Sequence, residues 1–140
     1  MRVLCVGVVV LVVFTARAAA ASCAVFDIDS GFRDARAVFV GQVMATRVVQ
    51  SANDSFDVRT VATVRVERRW KGPRAKALEV SACGGGDVVC TVSIDFEIGR
   101  RYLFFAEGNP LSTSSCMSWP VETASTELRW LAQKRSTQPG

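Results

Sequence analysis

Histidine is absent from all 140 residues of the chain. A Ser-His-Asp triad, a Cys-His dyad and a histidine-ligated zinc site are therefore excluded. No C-x-x-C pair is present, which argues against a cysteine zinc site. Asp95 and Glu97 stand two apart in an extended segment and face the same side, but a solvated strand face explains them more simply than acid–base chemistry. We expect a protein that is not an enzyme and has no cofactor or metal of its own.

Long apolar runs are lacking beyond the N-terminus. The run at 3–14 follows Arg2 and precedes a small-residue stretch at 16–21 with A-x-A cleavage sites. This is the pattern of a secretory signal peptide, and the run is shorter than the about 20 apolar residues of a membrane span. We predict a signal peptide at 1–21, a secreted protein (extracellular or periplasmic), and no membrane association after cleavage.

A strong excess of charge is also lacking. The net charge of +4 falls to +2 when Arg2 and Arg17 leave with the signal peptide. Such a balance does not indicate a nucleic-acid partner and allows at most a local basic patch. One set of basic residues is a candidate patch for binding a polyanionic glycan. The alternative interpretation is that these residues are simply the solvated end of a hairpin. The set comprises Arg65, Arg68, Arg69, Lys71, Arg74 and Lys76.

Four cysteines remain after signal cleavage, because Cys5 lies in the signal peptide. They are Cys23, Cys83, Cys90 and Cys116. An even number in a small exported domain predicts two disulfides, and four cysteines allow three connectivities. The spacing alone leaves all three open.

The remaining sequence has mostly the pattern of strands. Residues 38–49 and 56–70 alternate or are rich in valine, and the polar turn at 51–55 joins them into a long hairpin. Further extended segments are predicted at 77–82, 88–98 and 102–106. Ser30 is predicted to cap a short helix over 31–37, and Ser125 a terminal helix reaching Ala132.

These elements predict a mainly β fold. We expect a five-stranded OB-like Greek-key barrel with a short N-terminal helix, a C-terminal helix and disulfide staples, and a β-sandwich is the competing layout. Residues 22–135 are predicted to form a single domain, and 136–140 a disordered tail.

Four short motifs carry a resemblance to a known family. They are F-V-G at 39–41, W-K-G at 70–72, Y-L-F-F-A at 102–106 and T-S-S-C at 113–116. In this order behind a signal peptide, they resemble the netrin-like domain, specifically bacterial-type relatives of the tissue inhibitors of metalloproteinases. The resemblance covers nearly the whole mature chain and implies an OB-like barrel, in agreement with the strand pattern.

The resemblance also bears on the disulfides. The animal inhibitors begin with Cys-x-Cys, and the amine and carbonyl of the first cysteine chelate the zinc of the target protease. This chain has one cysteine in that region. If Cys23 matches the second cysteine of the motif, Ala21 stands at the chelating position, and the pairs Cys23–Cys116 and Cys83–Cys90 are favoured.

The alternative connectivity is Cys23–Cys90 with Cys83–Cys116. It fits cleavage after Ser22, which leaves Cys23 with a free α-amine. The sites Ala18-x-Ala20 and Ala19-x-Ala21 are better cleavage signals than Ala20-x-Ser22.

Two functions follow from the resemblance. The first is inhibition of a zinc metalloendopeptidase, with the Cys23 backbone on the target's zinc only if Cys23 is the mature N-terminus. The predicted contact edge is Ser22, Cys23, Ala24, Val25, Val88 and Val89. The second is a secreted netrin-like module that binds a protein or a glycan without inhibiting a protease.

Overall fold

The structure, a computed structural model, describes Cys23 and residues 25–136. Within these residues the fold is mainly β, with a six-stranded sheet and two short α-helices. The predicted signal peptide and residues 137–140 of the predicted tail lie outside the described residues. The elements are α1 (Ile28–Asp34), β1 (Ala37–Gln50), β2 (Val58–Lys71), β3 (Ala77–Cys83), β4 (Arg101–Ala106), β5 (Ser112–Thr113), β6 (Ser118–Pro120), a 3-10 turn (Val121–Thr123) and α2 (Ser125–Leu131).

The sheet has the strand order β5-β3-β2-β1-β4-β6 and curls into a half-barrel. Neighbouring strands are antiparallel except β3 and β5, which are parallel. Glu107, the residue after β4, forms an isolated bridge with Ser112 in β5. The strand β5 therefore contacts both β3 and the end of β4.

The predicted long hairpin is confirmed as β1 and β2, and its two ends differ in burial. β1 is buried from Ala37 to Val43, apart from the half-buried Gln42, and exposed from Met44 to Gln50. A register shift against β2 between Val43 and Ala45 marks the change. We call residues 37–43 and 64–71 the hairpin base, and residues 44–63 the hairpin tip.

Apolar side chains pack on both faces of the hairpin base. Alternation along β1 and β4 sends successive side chains to opposite faces. The inner core, inside the curl, includes Phe39, Val43, Val64, Tyr102 and Phe104. The outer core, between the sheet and the helices, includes Val38, Val40, Leu103, Phe105 and Leu131, with the half-buried Trp70, Trp119 and Trp130 packed against it.

Both helices begin at other residues than predicted. Asp27, not Ser30, caps α1: its Oδ2 accepts a hydrogen bond from the Ser30 amide at 3.2 Å, as a side chain three residues earlier can. The helix ends at Asp34 because β1 starts at Ala37. Ser125 is the first residue of α2, and Ala124 precedes it with no side-chain cap. Burial of Ala124 in the outer core fixes that end instead.

The predicted extended segment at 88–98 is wrong as a strand. It follows Gly84, Gly85 and Gly86, whose positive φ angles turn the chain back. The chain then bridges Gly85 to Val88 and continues as loop and turns. The missing strand is replaced by the short strands β5 and β6, which the sequence did not predict.

Candidate functional site

The predicted contact edge begins at a disulfide between Cys23 and Cys116, which are 93 residues apart. Three residues after Cys23, the Phe26 ring packs edge-on against Phe105 and Trp119, at centroid distances of 5.1 and 5.0 Å. The backbone is thus held on both sides of Val25, whose residue surface is 99% exposed. Ser22 and Ala24 lie outside the described residues.

The other part of the predicted edge is a loop closed by the Cys83–Cys90 disulfide. Cys83 ends β3, and Cys90 follows it by only seven positions in the sequence. Val88 exchanges backbone hydrogen bonds with Gly85 at 2.9 and 3.0 Å, which narrows the loop. Val89 follows this turn and is 85% exposed. The loop therefore presents an apolar side chain from a constrained backbone.

The two parts of the edge meet at one backbone hydrogen bond. The amide of Ser115, beside Cys116, donates to the Val92 carbonyl at 3.0 Å. Their exposed valines nevertheless border different cavities. Val25 lines one of about 330 Å³ with residues of α1 and Cys116, whereas Val89 lines one of about 450 Å³ beside the hairpin tip. The predicted edge is thus two linked surfaces.

The disulfide pairs in the structure are Cys23–Cys116 and Cys83–Cys90. The resemblance favoured this connectivity over the alternative, in which Cys23 is bonded to Cys90. Disulfides are typical of proteins in oxidising compartments.

Hydrogen bonding lowers the pKa of two carboxyl groups. Ser30 lowers the pKa of Asp27, chiefly through its hydrogen bonds to the capping carboxylate. Arg100 donates to Glu122 and lowers the pKa of that carboxyl. Both groups are exposed, and each makes a local contact: Asp27 caps α1, and Glu122 pairs with Arg100. Among the described residues, no group of three or more acidic or cysteine side chains could hold a metal ion.

The six basic residues of the predicted glycan patch are divided between the two faces of the sheet. Arg69 pairs with Phe39 of the inner core, while Arg68 pairs with Val40 of the outer core, and directly paired residues share a face. Lys71 turns onto α1, where its Nζ donates to the carbonyls of Phe32 and Arg33 at 2.9 and 2.7 Å.

The other basic residues of the patch are more exposed. Arg65 donates to the Gln42 side chain at 2.6 Å, and Arg68 to Ser136 at 2.8 Å. Arg74 and Lys76 are exposed in the segment between β2 and β3. The structure therefore does not bring all six cations to one surface.

The sequence did not predict that the β1 side of the hairpin tip and its turn are exposed, while Val58 and Ala62 on the β2 side are buried. Val48 is 56% exposed, and Phe56 in the turn is 82% exposed. Valines occur in both halves of β1, so the valine content alone does not mark the point where burial ends. That point depends on β4, which pairs with β1 only from Ala37 to Gln42.

No protein-family model and no curated protein matches the chain. Neither helix within the described part of the chain is long and apolar enough to cross a membrane.

Proposed function

We propose that this protein is an exported, netrin-like relative of the tissue inhibitors of metalloproteinases and that it inhibits a zinc metalloendopeptidase through the edge around Cys23. One observation carries the proposal. The exposed Val25 lies between the Cys23–Cys116 disulfide and the buried contacts of Phe26. A short backbone segment that is fixed at both ends loses little entropy when it enters a protease cleft.

An OB-like Greek-key barrel is part of the proposal. Its support is the position of β5, which pairs with Ser81 and Ala82 of β3 and bridges to Glu107 after β4. A strand that contacts both β3 and β4 joins the ends of a curled sheet in the order β1-β2-β3-β5-β4. That closure is the arrangement of a small five-stranded barrel, to which β6 would add an outer strand.

The chemistry requires only the backbone of Cys23. A neutral α-amine and a carbonyl oxygen of one residue can both bind a zinc ion held by the protease. The disulfide to Cys116 would fix their direction, and no side chain of the inhibitor would need to titrate. Because the amine must be free, inhibition by this route requires signal cleavage after Ser22.

A pair of proteins that differ by one residue tests the proposal. One starts at Cys23 and the other keeps Ser22, and both are assayed against a panel of zinc endopeptidases. We expect inhibition at micromolar concentration or below by the first protein and its loss in the second. If the Cys23 form inhibits no member of the panel, the proposal is wrong.

Two surface substitutions locate the contact. Val25→Asp and Val89→Asp each place a charge on an exposed residue, so folding is expected to be unchanged within about 0.5 kcal/mol. Each should weaken inhibition by about tenfold or more, because the carboxylate must lose water in the protease cleft. Phe56→Asp, on the exposed turn of the hairpin tip, is the matched control and should inhibit as the parent does.

The second candidate is a secreted netrin-like binding module without inhibitory activity. The observation that favours it is the Cys83–Cys90 disulfide. Because Cys90 is bonded to Cys83 and not to Cys23, no disulfide holds the Val89 loop next to the N-terminal edge. For a glycan ligand, Arg74 and Lys76 are the residues to substitute, because both are exposed between β2 and β3. Retention on heparin that Arg74→Ala with Lys76→Ala abolishes would support this function, and elution at low salt would argue against it.

A further inference from the structure

One edge of the hairpin tip has no strand beside it. β1 pairs with β4 only through Gln42, and the last contacts on that side join Val43 to Gly99 and Arg100. There the chain turns away at Gly99, which has a φ of 89°. From Ala45 to Gln50 the only strand paired with β1 in the described structure is β2.

The backbone of this free edge offers hydrogen-bonding groups at alternate residues. The Ser51 amide bonds to the Asp57 carbonyl, which sets the phase of the antiparallel ladder. In that phase Val49 and Arg47 bond to β2, while Val48 and Thr46 direct their N–H and C=O groups away from it. The Gly84 amide bonded to the Val58 carbonyl on the far side of β2 confirms the phase.

A cavity of about 450 Å³ adjoins the inner face of the same edge. It is lined by Thr46 and Val48 of β1 and, across from them, by Val88, Val89, Ile94 and Phe96. Its lining has one ionisable side chain, Asp95. A strand placed beside β1 would direct every second side chain toward this cavity. Its walls are mixed, with Thr60, Ser93 and Asp95 among the lining residues. An aliphatic side chain there would contact Val88, Val89 and Ile94.

The outer face of the edge has a different chemistry. Arg47 lies there, and it is the only charged residue between Met44 and Gln50. Its Nη2 donates to both carboxylate oxygens of Glu79, at 3.0 and 3.1 Å, and its side chain is about half exposed. A carboxylate on a neighbouring strand would pair with Arg47 across the new ladder. A second copy of β1 would bring arginine and no carboxylate to this position.

We propose that the free edge of β1 binds an extended segment of a partner protein by strand addition. The partner segment alternates aliphatic residues, which enter the cavity, with acidic residues, which face Arg47. Backbone hydrogen bonds to Thr46 and Val48 supply the affinity, and the cavity supplies the specificity. This surface shares Val88 and Val89 with the second part of the predicted contact edge but includes neither Cys23 nor Val25, so strand addition does not require zinc chelation.

Hydrogen exchange at single residues tests the proposal. The probe is a synthetic peptide that alternates valine and glutamate, added to the purified full-length mature protein. In the free protein the amides of Thr46 and Val48 should exchange fast, and those of Arg47 and Val49 slowly. Saturating peptide should slow Thr46 and Val48 by about tenfold or more. No slowing, or equal slowing by a valine–lysine peptide, would overturn the proposal.

Two variants separate strand addition from non-specific contact. Val48→Pro removes an outward N–H and should abolish the protection at Thr46, while Val48→Thr keeps that N–H and should retain it. Arg47→Gln should remove the preference for glutamate over lysine. If protection of Thr46 and Val48 instead rises with protein concentration in the absence of peptide, a second copy occupies the edge, and the proposed partner is wrong.

Discussion

The two ends of the β1–β2 hairpin both contain strand-forming valines but have opposite surroundings. The base is covered on both faces, by the inner core and by the outer core with its helices. The tip also contains valines, but Val48, Val49 and the turn residue Phe56 are exposed. The difference comes from neighbours that are distant in sequence: β4 and the helices reach the base and stop short of the tip. Stability therefore resides in the base, and the tip is available for recognition.

The two disulfides also lie in different parts of the molecule, one away from the hairpin tip and one beside it. Cys23–Cys116 lies beside α1 and β6 and spans 93 residues, while Cys83–Cys90 lies beside the hairpin tip and spans seven. Loop-closure entropy grows with the number of residues enclosed. The long-range bond should therefore stabilise the fold, and the short one should mainly shape the loop that carries Val89.

The largest expected effect comes from removing the long-range disulfide. Replacing Cys23 and Cys116 by serine should lower the free energy of unfolding by about 4 to 5 kcal/mol, and replacing Cys83 and Cys90 by about 2 kcal/mol. Urea unfolding of both double variants measures the difference. Equal losses would contradict the division between base and tip.

A core truncation at the base should be nearly as costly. Phe104 is fully buried and stacks on Phe39 with ring centroids 4.9 Å apart. Phe104→Ala should therefore cost about 3 to 5 kcal/mol through lost burial and the cavity left behind. Val48→Ala at the tip should cost about 0.5 kcal/mol or less. A loss at Val48 comparable to that at Phe104 would mean that the tip is packed in solution.

A single hydrogen bond on the outer face should have a smaller effect. The Trp70 indole Nε1 donates to the Leu131 carbonyl at 3.0 Å and ties the hairpin base to the end of α2. Trp70→Phe keeps an aromatic ring and removes the donor, so we expect a loss of about 1 kcal/mol. The Trp119→Phe variant, measured in the same way, controls for the change in ring size.

The smallest effect should be a pH dependence at the boundary between base and tip. Arg100, whose carbonyl accepts from Val43, donates to Glu122 and lowers the pKa of its carboxyl. A lowered folded-state pKa contributes stability above the unfolded-state pKa, and the contribution is lost as the pH falls through the folded-state value. The stability difference between the parent and Glu122→Gln should thus be present at neutral pH and vanish in acid. A difference that persists in acid would contradict the assignment to this ion pair.

The sequence predicted best the elements that are determined by residues close together in the chain. Alternation placed Val58, Ala62, Val64 and Val66 correctly on the buried face of β2, and all four are buried. Local pattern did not predict β5 and β6, because strands of two and three residues exist only through their neighbours. It also misplaced the strand at 88–98, where glycines and a short disulfide loop override the extended preference.

The candidate site was less predictable than the fold. Val88 and Val89 were predicted on the same edge as Val25, but they border another cavity, and the Ser115–Val92 hydrogen bond links the two. The free edge of β1 had no sequence signal, because it depends on where β4 ends. The sequence of 44–50, with Thr46, Arg47 and Gln50, fits an exposed strand, but it does not show which strand edge is unpaired.

The most direct test of the proposed function is the intact mass of the non-reduced protein after export and signal cleavage. Zinc chelation by Cys23 predicts a chain of residues 23–140 with both disulfides formed, so that Cys23 has a free α-amine. This requires cleavage one residue beyond the predicted end of the signal peptide at 21. A chain that begins at Ala21 or Ser22 would place that nitrogen in a peptide bond. That result would contradict zinc chelation by Cys23 and leave the binding module as the function of this fold.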